Sequence, residues 1–160
     1  MQVCPLAPGD EGAVLEILAR ANLSVDLDAE RTRPFALLWV ARPPQEERPI
    51  AFLLAWAVAD ELHLIHIATH PGARRRGAAR ALMTALVDRA IRDKCRLVLL
   101  EVRRSNRAAI RLYRSFGFSA MGVRRSYYTD GEDAVEMMLT LDPMTGTVRP
   151  GRDEVELLGA

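Results

Sequence analysis

Lysine is almost missing from this chain of 160 residues: Arg supplies 21 of the 22 basic residues, a bias that reads first as one of coding rather than of chemistry. Cysteine is scarce too. Cys4 and Cys95 lie 91 positions apart, with no CxxC and no Cys/His pair near either, so neither a zinc site nor a disulfide framework is expected. No run approaches the roughly 18 uninterrupted apolar residues of a membrane span, and Met1 to Asp10 has neither a basic start nor an apolar signal core. Membrane insertion and secretion are therefore not expected, and the expected compartment is the reducing cytoplasm.

What is present suits a packed domain. Apolar residues make up 49% and charged residues 27% of 17.8 kDa, enough burial to offset the ordering entropy of one core. The net charge of +1 hides an asymmetry. Residues 71–125 hold 14 Arg and one Lys against Asp88, Asp93 and Glu101, a net +12, whereas residues 1–70 carry −5 and residues 126–160 carry −6. A basic centre between acidic flanks suggests an anionic ligand, although Arg on exposed helix faces gives the same signal.

The periodicities give an order of elements. Asp10 is placed to cap a helix with Ala13, Val14, Ile17, Leu18 and Ala21 on one face, and the polar stretch 22–33 reads as a loop plus a short helix, with Asp28 a candidate cap. Residues 36–41, 50–58 and 62–69 read as strands. From Ala78 a long amphipathic helix buries Leu82, Met83, Leu86 and Ala90. The run 97–100 has no polar alternation, so a strand covered on both faces is expected, with Glu101 at its C-terminal end. Ser105 or Asn106 caps a further helix that Gly117 closes in a left-handed position. Strands over 118–123 and 134–141 flank a turn at Asp130-Gly131. The expected fold is α/β, a mixed, mostly antiparallel sheet of about six to seven strands with about four helices. Residues 1–142 form one domain in this reading, and the Gly/Pro-punctuated stretch 143–160 a mobile tail.

The densest chemical signal is Arg74, Arg75, Arg76, Gly77, Ala78, Ala79 and Arg80, between a strand and the start of the long helix. Unsatisfied N–H groups at a helix N-terminus, positive charge and small residues together make an anion cradle. The spacing is neither GxxxxGK[ST] nor GxGxxG, so ATP and dinucleotide loops fit less well. A short loop with surface arginines is the plainer alternative.

Arg74, Gly77 and Ala79 match the Gln/Arg-x-x-Gly-x-Gly/Ala loop of the GCN5-related N-acetyltransferases (GNAT), and the chain resembles that superfamily from about Leu62 to Leu141. Glu101 to Asn106, Ala109-Ile110, Leu112-Tyr113, Gly117-Phe118 and Tyr127-Tyr128 with Gly131 to Ala134 resemble its protein N-terminal acetyltransferases, especially the ribosomal-protein-alanine branch. The resemblance implies the fold, acetyl-CoA as cosubstrate, no metal, and acetyl transfer to the α-amine of a protein N-terminus. It implies that Ile67, Ala68 and Thr69 bind pantetheine through their backbones, that Arg74 to Arg80 hold the pyrophosphate and that Asn106 contacts the cofactor. It makes Glu101 the general base, acting through water, and Tyr113 the general acid, with Tyr127, Tyr128 and His66 at the acceptor. The branch usually carries an aromatic-Pro-Trp-like element between its first two helices; residues 21–34 here contain no aromatic.

The chemistry agrees with those roles. An α-amine, with a reference pKa of roughly 8, must shed a proton before attacking a thioester, and a tyrosine at about 10 can return one to a departing thiolate. Plainer readings exist: Glu101 pairing with Arg103 or Arg104, Tyr113 as a core tyrosine, Tyr127 and Tyr128 as strand formers. Alternation puts His63 and His66 on opposite faces, and His66 lies roughly 13 Å from His70 along a strand, so no shared metal is expected. A lysine or small-molecule acceptor is the alternative function. A nucleic-acid module using the basic centre ranks lower, because Tyr113, Phe116 and Phe118 occupy core-like positions rather than a stacking platform. A monomer or weak dimer is expected.

Overall fold

A computed structural model describes residues 1–157. They fall into two compact units, one of residues 1–58 and 64–89, the other of residues 59–63 and from 90 onward. Among the described residues there are eight strands and four α-helices, the α/β class the sequence predicts. No helix among them is long and apolar enough to cross a membrane.

The first unit begins with β1 (Gln2–Pro5), followed by α1 (Glu11–Arg20), α2 (Leu27–Thr32), β2 (Ala36–Arg42) and β3 (Ala51–Val58). Most of β4 (Glu61–Thr69) and of α3 (Ala78–Arg92) completes it. β2 pairs antiparallel with β1 on one side, Gln2 opposite Arg42, and with β3 on the other, Ala36 opposite Trp56. Val14 and Leu18 of α1 pack with Leu27, Val40, Phe52 and Leu54 in one apolar cluster. Two caps differ from expectation. Asp10 makes no cap bond to α1; its carboxylate accepts from Ala7 N and Arg42 Nη2, both at 2.9 Å, because a buried carboxylate needs a counter-charge. Asp26, not Asp28, caps α2, accepting from Ala29 N at 2.9 Å, the N-cap to N3 spacing that such a bond requires.

The second unit contains β5 (Leu97–Arg103), α4 (Arg107–Ser115), β6 (Ser119–Arg124), β7 (Ala134–Leu141) and β8 (Val148–Arg149). β7 lies between β5 and β6, and β8 also pairs with β7. The β5–β7 ladder runs unbroken from Leu97 opposite Thr140 to Arg103 opposite Ala134. β5 is not covered on both faces as its apolar run suggests: Val98, Leu100 and Val102 are buried, while Leu97, Leu99 and Glu101 are half-buried. A face carrying a carboxylate cannot be sealed without the cost of burying a charge. The strand buried on both faces is β3, where Ala51 to Ala55 are all at most 1% exposed.

β1 and β8 are the strands without a sequence signal, being too short to show alternation. Beyond β8, Glu154 N donates to Ala120 O at 2.8 Å, and Asp153 accepts from Ala120 N at 2.8 Å and pairs with Arg114. The tail expected to be mobile also includes residues 158–160, which lie outside the described residues.

α4 ends in a Schellman motif: Phe118 N donates to Tyr113 O at 3.2 Å and Gly117 N to Arg114 O at 2.9 Å. Gly117 has φ +99°, and a Cβ there would fall 2.8 Å from Val148 Cγ1 and 3.3 Å from Leu139 Cδ1. Both the left-handed backbone and the contact require glycine. Gly117→Ala should lower stability by roughly 1–3 kcal/mol, read as a lower urea midpoint with an unchanged m-value.

Candidate active site

In the first unit, β4 delivers Ile67, Ala68 and Thr69 and ends in a short turn, Pro71–Ala73, after which Arg74 to Gly77 lead into α3. Arg75 has φ +64° and Gly77 φ +85°. A non-glycine residue in the left-handed region is uncommon, and such turns aim successive N–H groups into one concavity that suits an anion. Arg74, Arg75, Arg76 and Arg80 are exposed, and Arg76 pairs with Glu46 at 2.8 Å. The first turn of α3 contains no acidic residue, so nothing there offsets the positive end of the helix dipole. A Cβ on Gly77 would meet nothing within 4 Å, leaving open space where a phosphate would approach. These features fit a pyrophosphate.

His66 lies on the same strand, half-buried. Burial pulls its pKa below the usual imidazole value, opposed by the Glu30 carboxylate. Glu30, on α2, is itself buried and accepts from Trp56 Nε1 at 2.9 Å. Arg33 stands over the Trp56 ring at 5.2 Å, and Phe35 meets Trp56 edge-on at 5.7 Å. Phe35, just before β2, and Trp56, of β3, are the aromatics grouped beside Glu30.

In the second unit the carboxylate and the tyrosines come together. Glu101 sits near the end of β5 with a side chain 28% exposed, and its Oε1 is 3.4 Å from Arg124 Nε. The expected partners are engaged elsewhere, Arg103 with Asp130 and Glu132 at 2.8 and 3.2 Å, Arg104 with Asp133 at 3.5 Å. The Glu101 carboxylate beside Tyr127 pushes its phenol above the usual value, burial adding to the effect. Tyr127 and Tyr128 meet edge-on at 5.1 Å, and Arg103 stands 4.0 Å from the centre of the Tyr128 ring. Both tyrosines lie in the β6–β7 connection and not in a strand, because Asp130 and Gly131, the latter at φ +86°, turn the chain directly after them.

Tyr113 projects from α4 and is 4% exposed, its ring 5.9 Å from that of Phe118. Burial, with a smaller contribution from Tyr128, pushes its phenol far above the usual value. Asn106 caps α4, accepting from Ala109 N at 3.2 Å, which leaves its carboxamide nitrogen as a donor. Sequence reasoning named Arg103 only as a partner for Glu101, included Glu132 only within the motif after Tyr128, and missed Arg124 and Glu136. Glu132 accepts from Ser105 N and Ser105 Oγ at 2.9 and 2.7 Å and so ties the β6–β7 connection to the start of α4. The only sequence signal for these four is opposite charge at strand ends.

The model of the acetyltransferase (GNAT) family matches residues 13–118. The chain belongs to that family. It is 43% identical over 100 residues to the [ribosomal protein bS18]-alanine N-acetyltransferase of Escherichia coli K12, spanning 61% of this chain and 68% of that one. It is 44% identical over 78 residues to the N-alpha-acetyltransferase RimI of Mycobacterium tuberculosis, across 48% and 46% of the two chains. The crystal structure of the ribosomal-protein-S18-alanine N-acetyltransferase from Escherichia coli superposes with a TM-score of 0.78 at 35% identity, over 87% of this chain and 92% of that one. Enzymes of the family use acetyl-CoA as cosubstrate, and this chain is an acetyl-CoA-dependent N-acetyltransferase.

The raised Tyr113 phenol has a consequence for stability. Once pH passes about 10, unfolded chains lose the tyrosine proton while the folded protein keeps it, so folding is disfavoured by up to about 1.4 kcal/mol per pH unit. Tyr113→Phe should remove that dependence. Guanidinium unfolding between pH 9 and 11.5 should show the parent losing stability faster than the variant, and parallel curves would contradict the burial argument.

Proposed function

We propose that this protein transfers acetyl from acetyl-CoA directly to the α-amine of a protein N-terminus, with a ribosomal-protein N-terminus as the first acceptor to test. The observation that carries the reading is the partly exposed Glu101 carboxylate near the end of β5, with Tyr127 and Tyr128 beside it, in a member of an acetyltransferase family. Bound acetyl-CoA supplies the thioester carbonyl that the amine attacks and the thiolate that leaves. Arg74, Arg75, Arg76 and Arg80, with the backbone of Gly77, Ala78 and Ala79, hold its pyrophosphate. The backbones of Ile67, Ala68 and Thr69 hold the pantetheine, and the Asn106 carboxamide makes a further contact.

Glu101 receives the proton of the acceptor ammonium, directly or through water. Its partial exposure keeps it reachable by the acceptor amine, as a base requires. Tyr113 holds the proton that the departing sulfur takes up. Burial keeps that hydroxyl protonated across the physiological range, and the same dry surroundings penalise an unprotonated thiolate. One carboxylate in a wet setting and one phenol in a dry one divide the base and acid roles by environment. No covalent enzyme intermediate is needed, and Tyr127, Tyr128 and His66 contact the acceptor.

Glu101→Gln should lower kcat/KM roughly 10²-fold at pH 7 on a lysine-free peptide with a free N-terminus. The deficit should shrink toward pH 8 as the medium supplies free amine, whose reference pKa is roughly 8. Equal rates for the two proteins at every pH would remove Glu101 from catalysis.

A further inference from the structure

Glu101 does not stand alone on its face of the sheet. The β5–β7 register sets Glu136 directly opposite it, and side chains so paired have Cβ atoms about 4.5–5.5 Å apart. Like charges at that spacing are unfavourable unless a cation intervenes. Arg124 of β6 is that cation, and it is held unequally: its Nε lies 2.7 Å from Glu136 Oε1 and 3.4 Å from Glu101 Oε1. Only the bond to Glu136 is a close hydrogen bond.

The backbone makes room for this arrangement. The β6–β7 ladder skips Met121 in a bulge, so Gly122 faces Glu136, and a Cβ on Gly122 would fall 2.7 Å from Glu136 Oε2. Other charged or titratable groups also surround Glu101 in this unit. Tyr127 and Tyr128 lie beside Glu101, Tyr127 5.6 Å from the Arg124 guanidinium, Arg103 is paired with Asp130 and Glu132 beside Tyr128, and Tyr113 is buried and neutral.

We propose that Glu136 is a positioning residue for deprotonation of the acceptor amine: it anchors Arg124, so that the Glu101 carboxylate remains open to the incoming proton. The proposal rests on Glu101 being the base. With Glu136 present, the two carboxylates and the guanidinium carry a net −1, which favours an approaching ammonium. Without it the trio is neutral and Arg124 turns wholly to Glu101, making that carboxylate a weaker base and screening it from the amine.

The test compares kcat/KM against pH for the parent, Glu136→Gln, Glu136→Asp, Arg124→Gln and Glu101→Gln, using acetyl-CoA and a lysine-free peptide with a free N-terminus. Glu136→Gln should lower kcat/KM about tenfold at pH 7 and move the acid limb down by about one pH unit. Glu136→Asp, which keeps the charge, should restore most of both, and Arg124→Gln should move the limb upward. Gly122→Ala should push the carboxylate aside and shift the limb in the same direction as Glu136→Gln, which keeps the test intact if that variant folds poorly.

An unshifted limb in Glu136→Gln and Gly122→Ala, with Glu101→Gln still slow, overturns the role of Glu136 and leaves Glu101 as the base. A uniform rate loss at every pH that Glu136→Asp does not rescue marks a merely structural residue and also overturns it. Parent rates in Glu101→Gln would overturn both readings together.

Discussion

The pairing of β5 with β7 is the constraint on which the second unit, with the proposed base, depends. Seven consecutive residue pairs, from Leu97 opposite Thr140 to Arg103 opposite Ala134, fix one register. Because side chains alternate faces, a slip of one residue would carry Val98, Leu100 and Val102 out of the core and Glu101 into it. Burial of those three side chains therefore fixes which way the carboxylate points. The same register sets Glu136 against Glu101, and Arg124 and Tyr127 then reach the pair from β6 and the loop after it.

The charge pattern takes on a different meaning once partners are known. Of the basic centre, Arg76, Arg96, Arg103, Arg104, Arg114 and Arg124 each pair with one or two carboxylates, mostly from the acidic flanks. Most of these pairs are exposed and contribute little to stability individually; they bind the β6–β7 connection and the C-terminal stretch to the fold. Among the described residues, Arg74 and Arg75 take part in no ion pair, and they stand in the loop with left-handed backbone before α3. The positive charge left to serve the proposed pyrophosphate site is local to that loop, not spread over the whole basic segment.

Much of this was legible in the sequence, for identifiable reasons. α3 and α4 announce themselves because their buried stripes recur at helical spacing, and Gly117 marks the end of α4 because only glycine suits its conformation and its contacts. The Arg-rich loop and Glu101 carry local motifs that survive without a structure. What stayed hidden depends on distant pairing. Nothing near Asp10 announces Arg42, nothing near Glu101 announces Glu136, and the alternation within β5 is masked because Leu97 and Leu99 are as apolar as their buried neighbours. The short β1 and β8 exist only through the strands they pair with.

The proposed acid and base are separated by environment: Tyr113 is sealed in the core under α4, while Glu101 is held at a half-open strand end beside two loop tyrosines. That division serves an acceptor arriving as an ammonium, and an N-terminal α-amine is the acceptor the account requires. The most direct test offers the enzyme acetyl-CoA and two peptides of otherwise identical sequence, one with a free N-terminus and no lysine, the other with a blocked N-terminus and one internal lysine, and follows acetylation by mass spectrometry. The account predicts acetylation of the first peptide at its N-terminal nitrogen and none of the second at comparable enzyme concentration. Acetylation of the lysine at an equal or greater rate would contradict it.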